Sequence, residues 1–199
     1  RRLLSGLRAI AGVHSGVCAL TTNRSVTVAG SASADRPAIA ELLDAYGMTN
    51  ETSVSGLRRN SMACVALPTC ALAMAEAERY LPDLLDKLDE IVTAAGLTDD
   101  PITIRMSGCP NVCPRPYIAE IALVGKAPGR YNLYLGASAS GDRLNALFRE
   151  NIAEPQILQE LEVLLRRYAA EREPGERFGD FTVRASVVPA MLAGRDFQR

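Results

Sequence analysis

Four of the five cysteines in this 199-residue chain fall into two pairs whose spacing suits metal chemistry. Five residues separate Cys64 from Cys70, and three separate Cys109 from Cys113. Thiolate sulfur is the ligand that zinc and iron–sulfur clusters both select, and either centre needs four donors that converge from different directions. The two pairs therefore form a candidate four-thiolate metal site.

Spacing alone leaves three interpretations of these cysteines open. Tetrahedral zinc also accepts four cysteines, but its paired ligands usually stand roughly two to four residues apart, so the first pair is wide for zinc. Buried cysteines without a metal are common in protein cores. Because the chain shows no secretory signal, clustered cysteines favour a metal over a disulfide framework. We favour an iron–sulfur cluster.

The fifth cysteine and the single histidine are interpreted as structural residues. Cys18 lies in a short apolar run and is expected to be a small core residue. His14 is expected to lie at the surface or to cap a helix, which argues against a histidine-ligated haem.

Apolar periodicity and turn residues predict the elements that precede the cysteine pairs. A helix is predicted at residues 3–11, strands at 17–20 and 26–29, and a second helix at 37–46. This order is about half of a ferredoxin-like unit, and on its own it would leave a sheet edge unpaired. The isolated chain is therefore a possible homodimer.

A polar connection at residues 48–60 leads to the part that carries the cysteines. Apolar positions recur by threes and fours from Ala71 to Ala95 and predict a helix, with a kink or a restart at Pro82. Three strands are predicted at residues 102–106, 118–124 and 130–136, and a last helix from residue 155. The fold class is α+β: a ferredoxin-like half-unit at residues 1–58, followed by a mixed α/β-sheet domain at residues 59–199.

Composition and charge exclude several classes of partner. The net charge is −1, so no global field favours nucleic acid or a membrane surface. No apolar run approaches the roughly 20 residues that cross a bilayer. The chain begins without Met or a signal-peptide pattern, which predicts a piece of a longer, cytoplasmic polypeptide.

The cysteine pattern, C-x5-C followed by C-x3-C, resembles the cluster-binding pattern of the sulfite and nitrite reductase haemoprotein family. Several other stretches are similar to the assimilatory sulfite reductases, namely residues 60–64, 73–79, 124–133 and 178–184. Thr21 and Asn23 are similar to the strand turn that lies near sirohaem in that family. The likeness runs across nearly the whole chain.

The resemblance implies the C-terminal half of an assimilatory-type sulfite reductase haemoprotein, an oxidoreductase that carries out the six-electron reduction of sulfite to sulfide. It implies a [4Fe–4S] cluster on the four paired cysteines, with Cys113 also bridging to the sirohaem iron. Sirohaem carboxylates suit basic side chains with fork geometry. Arg115 and Asn111 match the family here, and weaker candidates are Arg58, Arg59, Lys126 and Arg130.

The resemblance also implies that the substrate-binding side chains lie in a missing N-terminal half of the same polypeptide. The fragment alone is therefore expected to be inactive, and its electron donor would be an NADPH flavoprotein or a ferredoxin. A fragment of a sirohaem nitrite reductase and a non-catalytic metal-binding or docking module stay open as alternatives. The chain departs from the family pattern at Val112 and Pro114, where glycine is usual, and at Arg24 and Ser25.

Overall fold

The computed structural model describes residues 2–22, 25–48 and 54–198. The chain divides into two compact units, Arg1–Val54 and Ser55–Arg199. Helices and strands occur in both units, which confirms the α+β class. No helix of the described residues combines the length and the apolar character needed to cross a bilayer.

The first unit is a β-hairpin preceded and followed by a helix. Its elements are α1 (Arg2–Val13), β1 (Val17–Leu20), β2 (Val26–Ala29) and α2 (Arg36–Tyr46). The two strands pair antiparallel, and the two helices contact each other. Gly47 ends α2 with a φ of 63°, the left-handed conformation that glycine adopts without steric cost. The predicted helix–strand–strand–helix order is confirmed.

The hairpin strands of this unit are exposed. The side chains of Val17 and Leu20 are 66% and 87% exposed, and Cys18 between them is exposed as well. The interpretation of Cys18 as a core residue is therefore wrong, because an apolar residue is buried only where another element covers its strand. His14 is half-buried, with its Nδ1 2.9 Å from the hydroxyl oxygen of Ser31.

The second unit is built on a mixed five-stranded sheet. Its strands lie side by side in chain order: β3 (Ser61–Ala63), β4 (Ile104–Ser107), β5 (Ile121–Ala127), β6 (Arg130–Leu135) and β7 (Ala146–Ile152). The first three are parallel to one another, and the last three pair antiparallel. Parallel neighbours need long crossover connections. The four paired cysteines lie in the two crossovers.

Four helices complete this unit: α3 (Gly56–Arg59), α4 (Leu81–Ala94), α5 (Glu154–Glu171) and α6 (Phe178–Arg184). Buried residues of the sheet and of α4, α5 and α6 form one hydrophobic cluster. Because α5 repeats its apolar positions by threes and fours, one stripe of it is buried, as the sequence predicts. This core holds the sheet edge at which the cysteines lie.

The helix predicted from Ala71 is wrong for residues 71–80, because α4 begins at Leu81. The backbone N–H groups of Met74 and Ala75 both donate to the carbonyl oxygen of Gly108, at 2.8 and 3.0 Å. Residues 71–80 thus form turns against another part of the chain, in which Ala75 and Ala77 are buried whereas Leu72 and Met74 are exposed. Pro82 lies in the first turn of α4, where its missing N–H has no cost.

Other boundaries differ from the predicted ones. The strands predicted at residues 102–106 and 118–124 are β4 and β5, each displaced toward the C-terminus. α3, β3, β7 and α6 are absent from the sequence prediction. β3 has only three residues, and β7 has three apolar residues in a row followed by the polar Arg149, Glu150 and Asn151, so neither shows the apolar alternation of a half-buried strand.

The boundary between the units lies at residue 54 or 55, whereas the sequence places it after residue 58. The segment with α3 belongs to the second unit through its hydrogen bonds. Gly56 N–H donates to the Thr98 carbonyl at 2.7 Å, and the Ser55 hydroxyl donates to Asp89 at 2.6 Å. That a ferredoxin-like half precedes a cofactor-binding domain stays a prediction.

Candidate cluster and cofactor site

Both cysteine pairs begin at the same edge of the five-stranded sheet. Cys64 directly follows β3, and Cys109 is the second residue after β4. These strands are parallel neighbours, with Ala63 opposite Met106. Because the carboxyl ends of parallel strands meet at one edge, the two cysteine loops leave the sheet from adjacent points.

Hydrogen bonds join the two loops directly. The backbone N–H of Gly108 donates to the sulfur of Cys64 at 3.2 Å, and the N–H of Cys64 donates to the Met106 carbonyl at 3.1 Å. The bonds from Met74 and Ala75 to the Gly108 carbonyl add to this connection. The loop of the first pair is thus held against the loop of the second.

Close backbone approach requires glycine at position 108. A Cβ there would lie 2.5 Å from the Cβ of Ala66 and 2.7 Å from the carbonyl oxygen of Ala75. Gly125 on β5 also lies close to the backbone of Gly108, because a Cβ at residue 125 would lie 2.5 Å from the Gly108 carbonyl oxygen. A side chain at residue 108 would therefore separate the loops that carry the cysteines.

The loop of the first pair folds back on itself. Ala66 has a φ of 47°, and its carbonyl accepts from the N–H of Cys70 at 2.7 Å. The N–H of Glu78 donates a hydrogen bond to the carbonyl oxygen of Cys64 at 3.0 Å. Both cysteines of this pair are half-buried.

The second pair runs from a buried cysteine to an exposed one. Cys109 is 5% exposed, and the Ser107 hydroxyl donates to its carbonyl at 2.7 Å. Cys113 is exposed, in a turn closed by a bond of 2.7 Å from Arg115 N–H to the Val112 carbonyl. This loop therefore offers one thiol inside the protein and one at its surface.

The donor set fits an iron–sulfur cluster in chemical type. All four thiols are free, and they stand on two hydrogen-bonded loops. A hydrogen bond from a backbone N–H to a ligand sulfur, as at Cys64, is one of the contacts that set the reduction potential of a bound cluster. Within residues 2–22, 25–48 and 54–198, no three Cys, His, Asp or Glu side chains are placed to share one ion. Convergence of all four sulfurs stays a prediction.

The residues expected to contact a macrocycle lie at the surface. Asn111 and Arg115 are exposed in the same loop as Cys113. Thr21 is exposed in the hairpin of the first unit, where its hydroxyl accepts the N–H of Ser25 at 3.1 Å. Asn23 lies outside the described residues. The roles of these residues stay predictions.

The weaker arginine and lysine candidates are engaged within the second unit. Arg58 donates to Asp89 at 2.9 Å. Lys126 lies 3.8 Å from Glu150, and Arg130 donates to a backbone carbonyl at 3.2 Å. These partners use part of the hydrogen-bonding and charge capacity of the three side chains.

Sequence reasoning missed Arg105, which lies on β4 between buried Ile104 and Met106. Its guanidinium donates to the carbonyl of Arg115 at 2.9 Å, so it holds the loop of the second cysteine pair from the sheet side. Burial and the charge of Arg115 lower the pKa of Arg105. A charged residue between two core positions of a strand is the signal that could have found it.

Aromatic side chains lie on the same sheet face as Arg105. Arg105 stands opposite Ala122, and Ala122 opposite Tyr134, so side chains at these positions share a face. The Tyr134 ring meets that of Tyr117 edge-on at 5.2 Å. Burial, with Tyr134 beside it, raises the pKa of Tyr117 to about 12, so this phenol stays neutral at physiological pH.

No family model matches the chain. Curated relatives do match it closely, and two of them are named sulfite reductase [NADPH] hemoprotein beta-component. The protein of Nitrobacter winogradskyi is 58% identical over 195 residues, which are 98% of this chain and 34% of that protein. The protein of Bacillus subtilis is 55% identical over 196 residues, again 98% and 34%. The chain thus spans about a third of the length of these relatives, rather than half.

Solved structures show the same fold. The structure of the Mycobacterium tuberculosis NirA protein superposes with a TM-score of 0.76 at 22% identity, over 99% of this chain and 36% of that one. Dissimilatory sulfite reductase I gives a TM-score of 0.62 at 15% identity, over 90% of this chain and 63% of that one. Given identities of 55 and 58% over nearly its whole length, the chain belongs to the sulfite reductase haemoprotein family, as a segment about a third as long as those proteins.

Proposed function

We propose that this chain is the part of a sulfite reductase haemoprotein that holds a [4Fe–4S] cluster and one side of a sirohaem, in an enzyme that reduces sulfite to sulfide. The observation that carries the proposal is the hydrogen-bonded junction of two cysteine loops at one sheet edge. The curated relatives are about three times as long, so the rest of the polypeptide would bind substrate and cover the other side of the macrocycle. The fragment alone would be inactive.

Each cysteine has a distinct environment for this task. Cys64 would bind iron with its sulfur stabilised by the Gly108 N–H, and Cys70 would approach from the folded-back end of the same loop. Cys109 would bind from the buried side, and the exposed Cys113 would bind both the cluster and the macrocycle iron. When bound, the two groups would supply stored electrons and the iron at which sulfite is reduced.

Polar residues would hold the macrocycle in place. Arg115 can present a fork of N–H donors to a carboxylate, and Asn111 can donate from its amide in the same loop. Thr21 and Asn23 of the first unit are proposed as further contacts on the strength of the family resemblance. The relatives are named NADPH sulfite reductases, which favours an NADPH-linked electron donor over ferredoxin.

The test is Cys113→Ser in the complete polypeptide. Because one thiolate would serve both cofactors, we expect this change to reduce macrocycle binding and cluster iron together, with loss of sulfite reduction by an artificial electron donor. Serine oxygen is a harder ligand than thiolate and matches cluster iron less well. We therefore expect at most partial retention of a perturbed cluster. The measurements are the absorption spectrum, the iron content and the activity.

Cys18→Ser is the matched control, because Cys18 lies on β1 in the first unit, far in sequence from the four paired cysteines. It should leave spectrum, iron and activity unchanged. A normal spectrum and full activity in Cys113→Ser would overturn the bridging role. Zinc in place of iron in the wild type would favour the non-catalytic module, and nitrite reduction well above sulfite reduction would favour the nitrite enzyme.

A further inference from the structure

Arg105 differs in its surroundings from three other half-buried arginines of the second unit, Arg58, Arg143 and Arg177. Each of these three pairs with a carboxylate: Arg58 with Asp89 at 2.9 Å, Arg143 with Asp180 at 2.5 Å and Arg177 with Glu120 at 2.9 Å. Arg105, in contrast, makes its hydrogen bond to a neutral backbone carbonyl, that of Arg115, at 2.9 Å. Among the described residues, the charge that acts on it belongs to another arginine.

This arrangement has an electrostatic cost that a bound anion would remove. Withdrawing a guanidinium from water is unfavourable unless an opposite charge or good acceptors replace the solvent. One carbonyl uses one of the five N–H donors of Arg105 and supplies no charge. The second guanidinium nearby adds repulsion, and both effects act in the same direction on the pKa of Arg105.

The position of Arg105 shows which anion can reach it. Its guanidinium contacts the turn that contains Cys113 and Arg115, and Asn111 lies in the same exposed loop. We infer that Arg105 and Arg115 together bind one carboxylate of the macrocycle, with Arg105 on the sheet side and Arg115 on the solvent side. This inference rests on the proposed function, and it adds a residue that the cysteine pattern does not point to.

The test uses the complete polypeptide with Arg105→Gln and Arg105→Lys. We expect Arg105→Gln to weaken macrocycle retention about tenfold, the factor that corresponds to 1.4 kcal/mol, about the strength of one hydrogen bond to a charged group. Arg105→Lys should recover part of this loss, because lysine keeps the charge without the fork. Arg166→Gln, which breaks an exposed ion pair on α5, is the matched control and should retain the macrocycle normally.

Two further measurements separate binding from a structural role. Cluster iron should be unchanged in Arg105→Gln, and the unfolding temperature of the macrocycle-free protein should change little, because loss of the bond to the Arg115 carbonyl is offset by removal of the repulsion between the guanidiniums. Parallel loss of cluster and macrocycle would show that Arg105 only supports the loop, and would overturn the inference.

The remaining outcomes identify other sources of the anion. Normal macrocycle retention with a less stable macrocycle-free protein would assign the anion to a carboxylate elsewhere in the polypeptide. Normal retention, together with sulfate binding that Arg105→Gln abolishes, would assign a free oxyanion. Both results would overturn the inference. A wild-type polypeptide that carries no macrocycle would instead refute the proposed function itself.

Discussion

At the scale of single residues, the cysteine loops depend on backbone conformations that few side chains adopt readily. Ala66, Val112 and Arg115 have φ values of 47°, 54° and 52°. Such left-handed conformations are costly for residues with a Cβ, and most of all for β-branched ones such as valine. Val112 is also the position at which the related sequences are expected to carry glycine. The departure noticed in the sequence thus has a physical counterpart in the structure.

Val112→Gly should therefore stabilise the protein. Glycine removes the left-handed strain of roughly 1–2 kcal/mol but loses more backbone entropy on folding, so we expect a net gain of about 1 kcal/mol in the free energy of unfolding. Urea denaturation measures it. Val65→Gly is the control, because Val65 is also a loop valine but is not among the described residues with positive φ, and it should destabilise slightly. Equal destabilisation by both changes would refute the strain argument.

At the scale of elements, a buried carboxylate connects the sheet to α6. Glu120, just before β5, is fully buried. Its carboxylate accepts the N–H of Thr103 at 2.8 Å, the N–H of Gly179 at 3.1 Å and the guanidinium of Arg177 at 2.9 Å. These bonds join the approach to β4, the start of β5 and the first turn of α6, so one side chain positions three parts of the fold.

Glu120→Gln keeps the shape of this side chain but removes its charge, and it gives an NH2 group to a site that contains only donors. Breaking a buried ion pair typically costs about 3–5 kcal/mol. Because Arg177 keeps 30% of its side chain exposed, we expect a loss near the lower end, about 3 kcal/mol. Glu150→Gln is the control, since its 3.8 Å pair with Lys126 is exposed and should contribute about 1 kcal/mol or less. Urea midpoints that shift equally would contradict the role of Glu120.

At the scale of the whole molecule, the first unit is much less buried than the second. Ile10 is the single large apolar residue buried among the described residues of α1, β1, β2 and α2. The hairpin has two strands and exposes Val17 and Leu20. Exposed apolar strands and unpaired edges are the surfaces at which chains associate. The first unit therefore exposes an apolar strand surface that a further layer would cover.

We expect the isolated chain to self-associate through this hairpin, most simply as a two-fold dimer. Sedimentation at increasing concentration measures this association. Leu20→Lys should shift the protein toward monomer, because it places a charge on the 87%-exposed position of β1. Leu192→Lys is the control: Leu192 is 76% exposed in the second unit and should leave the association unchanged. A wild-type monomer at high concentration would rule out the dimer.

Local pattern was sufficient for much of this protein. The cysteine spacing, the order of the first four elements and the final long helix all depend on neighbouring residues, so they could be predicted from the sequence. The α+β class followed from them. Gly47 as the end of α2 is a purely local requirement of the same kind.

Long-range pairing decided the rest. The carboxyl ends of β3 and β4 meet only because strands about 40 residues apart pair in parallel, and this pairing brings Gly108 against Cys64. The same contacts hold residues 71–80 in turns, although their apolar spacing also suits a helix. Exposure of Cys18 and the support of the Arg115 turn by Arg105 likewise depend on which elements cover which strands. Residue type and spacing therefore determined which groups could bind a metal, and tertiary pairing decided which of them meet, because burial and close approach depend on residues far apart in the chain.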